Sequence, residues 1–172
     1  NGHEVTPAGW KFSNLKVAFE APEPIDPNDD GGGDDEEEGD YRVFTRVVNG
    51  LNVLYTENTS TGVINRISQT FPYTASVDTF VVSHNGRRVA YNVKNRDRDD
   101  SSVDLYSVPI TGGASVQISN TPDNMDVSKF KFSPDDQYLV YQSHNTVSLD
   151  GLVYSAQSAT GQGNRRISYP DE

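Results

Sequence analysis

The chain has 172 residues, 34% of them hydrophobic, with 14 Lys+Arg against 25 Asp+Glu and a net charge of −11. Eleven acids lie between Glu20 and Asp40, a window without a basic residue, so 14 acids meet 14 bases over the other 151 residues (172 − 21). A general nucleic-acid binder is thereby excluded, because it needs clustered cations to displace phosphate counterions, and the short cluster Lys94-Asn95-Arg96-Asp97-Arg98 is interrupted and followed by acids. No cysteine is present, which rules out disulfides and thiolate chemistry. No run approaches the roughly 18 apolar residues of a membrane span. Asn1 is not a natural start and nothing near it is ordered like a signal peptide, so the chain is expected to be processed or cut from something longer.

In chain order, Trp10-Lys11-Phe12-Ser13 opens with an aromatic-x-apolar-Ser pattern, and Phe19 follows Ser13 by six residues. After the acidic window, Val43 to Val48 and Leu51 to Tyr55 flank Asn49-Gly50, a strong two-residue hairpin signal. Leu54-Tyr55 then leads to Thr61-Gly62 and Ile67-Ser68.

The pattern returns at Phe80-Val81-Val82-Ser83, followed by the turn His84-Asn85-Gly86 and the alternating run Arg88 to Val93 with Tyr91. Leu105-Tyr106, Thr111-Gly112-Gly113 and Ile118-Ser119 complete this second copy. A third copy runs from Phe130-Lys131-Phe132-Ser133 through Pro134-Asp135-Asp136 and Tyr141 to Val153-Tyr154, Thr160-Gly161 and Ile167-Ser168. Each unit reads as four short strands, since the period of two places alternate residues on one face. No stretch has a convincing 3.6-residue apolar period. The chain is all-β.

Ser83 precedes Tyr91 by eight residues and Ser133 precedes Tyr141 by eight. Taking Phe19 as their counterpart, Phe19 to Tyr55 is 36 residues against 15 and 13 in the later copies. The first copy therefore carries an insertion of about 21 residues, placed between its second and third strands and matching the acidic window. Four antiparallel strands recurring every 48 to 51 residues are the sequence form of a β-propeller blade. The blades are expected over residues 1–75 (with the insertion at about 20–40), 76–124 and 125–172.

The run from Phe130 to Tyr141 resembles the Ser-Pro-Asp-Gly unit of TolB-like propeller repeats, with Asp136 where the family usually has Gly. Leu105-Tyr106 and Thr111-Gly112-Gly113 fit the same unit, and the resemblance covers about residues 76 to 170. It implies a non-catalytic scaffold or protein-binding module, placed in the periplasm or outside a bacterial cell. It equally implies a rival, since prolyl-oligopeptidase relatives use such blades as a gate before a hydrolase domain that this chain does not contain. Fold transfers with such a repeat better than function. Three blades leave open sheet edges and an apolar face, so a longer propeller or two copies completing a six-bladed ring are expected.

Among candidate sites, Asp26, Asn28, Asp30, Gly31 and Glu37 match the spacing of a calcium loop. Oxygen ligands at alternating positions wrap a hard cation there, and a terminal Glu binds bidentately. Such a loop would suit a calcium-dependent surface or adhesion protein. Against it, the flanks cannot supply helices, and a solvated acidic loop explains the same residues. A second candidate is the hairpin tip with Arg96, Arg98 and Asp99, as a partner contact or as a plain solvated turn. His3, His84 and His144 lack metal-site spacing, and no Gly-x-Ser-x-Gly elbow occurs, so no catalysis is expected. Ser83-His84-Asn85 and Ser143-His144-Asn145 look alike but fall at different places in their repeats. Tyr55, Tyr91, Tyr106, Tyr141 and Tyr154 recur in register and are expected to pack between blades, with Trp10, Phe80 and Phe130 in the core.

Overall fold

The computed structural model describes residues 40–71, 75–95, 103–119, 125–145 and 151–168. These form eleven strands and no helix. The first sheet is β1 (Tyr41–Val48), β2 (Leu51–Asn58) and β3 (Ile64–Arg66). The second is β4 (Ala75–Val82), β5 (Arg88–Asn95), β6 (Val103–Pro109) and β7 (Val116–Gln117), and the third is β8 (Met125–Phe132), β9 (Tyr138–Asn145), β10 (Gly151–Gln157) and β11 (Arg165–Arg166). Within each sheet, strands adjacent in sequence pair antiparallel, which makes each a simple meander.

Register shows that the three sheets are one unit repeated. Phe44, Tyr55 and Arg66 form a row across the first sheet, and Tyr91, Tyr106 and Gln117 form its equivalent in the second. Tyr141, Tyr154 and Arg166 form the row in the third. Directly opposed residues share a face, so the leading ring pair of each row stacks, with centroids 6.1, 5.7 and 5.4 Å apart.

This register corrects one expectation. Phe44, not Phe19, holds the position of Tyr91 and Tyr141, so β1 is the second strand of its blade. The acidic window hence lies upstream of the second strand rather than between the second and third. Phe19 and the window before Asp40 are outside the described residues, as is Trp10.

The Ile-Ser signature ends each blade by a shared device. The amides of Ile118 and Ser119 both donate to the Leu105 carbonyl, at 2.8 and 3.2 Å. Two residues opposing one is a bulge, which disrupts the ladder and would leave the buried Leu105 amide without a carbonyl partner. The Ser119 hydroxyl accepts from that amide at 3.0 Å. Ser68 serves Leu54 and Ser168 serves Val153 in the same way. A buried amide left unpaired costs on the order of 1–3 kcal/mol, which explains why a serine follows each isoleucine.

The core lies between sheets. Leu54 and Ile67 meet Val77, Val89, Tyr91, Val93, Val108 and Ile110 at the first junction. At the second, Ala90, Leu105 and Ile118 meet Val127, Phe130, Leu139, Tyr141 and Ala156. Alternation along β5 serves both, because Val89, Tyr91 and Val93 face one neighbour while Ala90 faces the other. Burying a Leu- or Ile-sized side chain is worth roughly 1.5–3 kcal/mol, so the middle sheet is the best-supported element. Tyr91, Tyr106, Tyr141 and Tyr154 pack at these junctions as expected, whereas Tyr55 belongs to neither cluster.

Candidate functional site

The turn entering the second strand is built alike in the second and third blades. The Ser83 hydroxyl donates to Asn85 Oδ1 and accepts from the Arg88 amide, and the Gly86 amide donates to the Ser83 carbonyl. In the next blade Ser133, Asp135, Asp136 and Tyr138 repeat each of these contacts. The Asp135 carboxyl is held below its ordinary range by the Ser133 hydroxyl first and the Gln137 amide second. The fourth turn position has positive φ, +70° at Gly86 and +56° at Asp136. Asp136 thus accepts the strain that glycine would avoid.

What Asp136 gains is a contact across the junction. Its carboxylate accepts from the His84 and Asn85 amides of the preceding blade at 2.9 and 2.8 Å, and Oδ1 lies 2.8 Å from His84 Nδ1. Its own carbonyl accepts from the Ser158 hydroxyl at 2.6 Å. The carboxylate is buried while the imidazole is partly exposed. His84 therefore belongs to a clasp between blades, whereas the similar Ser143-His144-Asn145 lies on β9.

A second linkage recurs at both junctions. The Tyr91 hydroxyl donates to Ser115 Oγ at 2.7 Å, and that hydroxyl reaches the Ile67 carbonyl of the preceding blade at 3.4 Å. Asn164 Nδ2 plays the part of Ser115 one blade on, donating to Tyr141 Oη at 2.7 Å and to the Ile118 carbonyl at 2.8 Å. Burial pushes the Tyr91 phenol above its ordinary value, opposed by its hydrogen bond with Ser115 and then by the Gln69 amide.

The two outward faces differ. On the third blade Ile167 is 44% exposed, against 2% and 1% for its equivalents Ile67 and Ile118. On the first blade, β1 carries Arg42, Phe44 and Arg46 where β5 carries Val89, Tyr91 and Val93. Arg42 pairs with Glu57, directly opposite on β2. The Arg42 and Arg46 guanidiniums lie 5.4 and 5.0 Å from the Phe44 ring centre, and Arg46 is 5.7 Å from that of Tyr55. Ile64 stands where Ser115 and Asn164 stand in the later blades, so this face has neither the hydroxyl nor the linking polar group of the junctions. Sequence reasoning missed this face; the signal was a stripe of Arg, aromatic and Arg at period two.

Asp26, Asn28, Asp30 and Glu37 lie outside the described residues, as do Arg96, Arg98 and Asp99. Among the described residues, no three His, Asp or Glu side chains are grouped to hold a metal ion, and no helix is long and apolar enough to cross a membrane.

Comparison of the whole arrangement with solved structures finds a putative TolB from Agrobacterium tumefaciens, with a TM-score of 0.52, 14% identity and 73% of this chain covered. The chain has the fold of a TolB-like propeller segment. A prolyl endopeptidase structure is also similar, with a TM-score of 0.56, 15% identity and 74% of this chain covered. The segment spans 44% of the Agrobacterium protein and 21% of the endopeptidase. No family model and no curated protein matches the sequence.

Proposed function

We propose that this TolB-like segment is a non-catalytic protein-binding module, working in the periplasm or at the exterior of a bacterial cell. The observation that carries the reading is where its polar chemistry is spent. His84, Asp136, Tyr91, Ser115, Tyr141 and Asn164 hold blades together. Ser68, Ser119 and Ser168 close them. Among the described residues, the buried side-chain N and O atoms without a hydrogen-bond partner are two hydroxyls, Thr56 Oγ1 and Ser143 Oγ. Groups committed in this way give a rigid frame, and recognition falls to the surfaces the frame presents.

The two-copy ring is the less favoured arrangement. It would set the third blade's outward face against a first blade that offers Phe44 and Ile64 in place of the junction hydroxyl and its link. The likeness to a prolyl endopeptidase supports a second reading, a gating blade set beside a hydrolase.

The test pairs two measurements. A photoreactive residue placed in turn at Phe44, Tyr138 and, as a buried control, Tyr91 should crosslink one defined protein at a surface position only. Turnover of peptide, ester or glycoside substrates that survives purification and falls on His84→Gln would overturn the non-catalytic reading.

A further inference from the structure

Propeller junctions here are made by a repeated set of groups, which allows each position of the first blade to be compared with its two counterparts. The apolar rows Val89–Val108 and Leu139–Ala156 become the ion pair Arg42–Glu57. Tyr91 and Tyr141 become Phe44, and Ser115 and Asn164 become Ile64. The outer face of the first blade is thus built for something other than a blade.

Its chemistry identifies the kind of partner. Three arginines, Arg42, Arg46 and Arg66, share the face with one acid, Glu57, in a chain whose net charge is −11. Arg66 is committed to the Ser68 and Gln69 carbonyls. Arg42 is paired but exposed, with 66% of its side chain accessible. The Arg46 guanidinium lies over both the Phe44 and Tyr55 rings. A planar guanidinium stacked on a ring keeps its edge donors free for a carboxylate. Arg42 and Arg46 are four residues apart on one strand face, a span of about 13 Å.

We propose that this face is the docking surface for an extended acidic peptide of a partner protein, with carboxylates at its first and fifth positions and an apolar side chain at the third. An extended peptide has the same pitch as β1, so its two acids reach Arg42 and Arg46 while the central side chain covers Phe44 and Tyr55. This names the partner chemistry of the protein-binding module and rests on that reading. The chain's own acidic run, Asp34 to Glu38, is the competing occupant, but no five residues of the window from Glu20 to Asp40 carry acids at the first and fifth positions around an apolar side chain at the third.

The probe is a capped five-residue peptide with glutamate at both ends, phenylalanine at the centre and serine between, titrated into the full chain and followed by amide NMR. Saturable shifts are expected at Arg42 to Arg46, weakening as salt rises from about 0.05 M to about 0.5 M. The Arg42→Gln/Arg46→Gln double variant should bind about tenfold more weakly. Arg46→Lys, which keeps charge but not the stacked plane, should lie between, and an unchanged melting temperature shows that both variants are folded. The proposal is overturned if the peptide moves no β1 amide, or if a glutamine-for-glutamate peptide binds equally. It is also overturned if binding emerges only after Asp34, Asp35, Glu36, Glu37 and Glu38 are replaced by their amides, which would make the chain its own ligand. A negative result leaves the module reading standing, and substrate turnover would sink the module reading without altering these shifts.

Discussion

Replacing Asp136 by Gly restores the residue usual in this repeat, and the structure predicts that it destabilises the protein. Glycine relieves a non-glycine residue held at φ +56°, a gain of about 1–2 kcal/mol. Against this stand the contacts to the His84 and Asn85 amides and to His84 Nδ1, all within 2.9 Å. Hydrogen bonds to a charged group are worth roughly 1.5–3 kcal/mol each. Near the lower end the set contributes about 4–5 kcal/mol, a net value that already includes the carboxylate's desolvation. The net loss is about 3 kcal/mol, which lowers the melting temperature by about 6–12 °C for a chain of this size. Asp136→Asn keeps one acceptor and tolerates the positive φ, so it should fall between wild type and Asp136→Gly. Calorimetry on the three proteins, together with His84→Ala and the double variant, checks the reasoning. An equal or higher melting temperature for Asp136→Gly would refute it, by showing that strain outweighs the clasp.

Three further outcomes are expected. Ser119→Ala should cost about 1–3 kcal/mol by leaving the Leu105 amide unpaired, and Ser168→Ala should cost less because its blade face is open to water; urea denaturation of each measures the difference. Gly161→Ala and Gly62→Ala impose the same backbone penalty, at φ +68° and +71°, but only the first drives a Cβ to 2.5 Å from a neighbouring carbonyl oxygen. Gly62→Ala should cost about 1 kcal/mol and Gly161→Ala clearly more, and equal values would argue against the close approach at the second junction. Raised in the folded state, the Tyr91 pKa makes its contribution to stability present below the ordinary tyrosine value near 10 and lost as pH rises through the folded value. Unfolding free energy measured between about pH 8 and pH 11 should therefore decline on the alkaline side, and Tyr91→Phe should flatten that decline.

Within the candidate site, the individual turns were legible and their partnerships were not. Ser83-His84-Asn85-Gly86 reads as a turn because its contacts span five residues or fewer. That His84 meets Asp136 does not follow from either segment, since 52 residues separate them and only blade stacking brings them together. The departure of Asp136 from the repeat was visible, but its compensation lies on another blade. Likewise the Tyr91–Ser115–Ile67 chain joins residues up to 48 positions apart.

The sequence by itself determined the all-β class, the hairpin at Asn49-Gly50 and the repeat in which Leu-Tyr or Val-Tyr is followed by Ile-Ser, because period-two alternation and turn chemistry act over a few residues. Asn49 and Gly50 both have positive φ, as that hairpin turn requires. That hairpin also sets Phe44 opposite Tyr55, where the spacing from Ser13 had suggested Phe19. Only the tertiary structure decided that Arg42, Phe44 and Arg46 face outward while Val89, Tyr91 and Val93, in the same register, face a neighbouring blade. The side of a strand is set locally by its alternation, but what covers that side depends on how whole sheets stack.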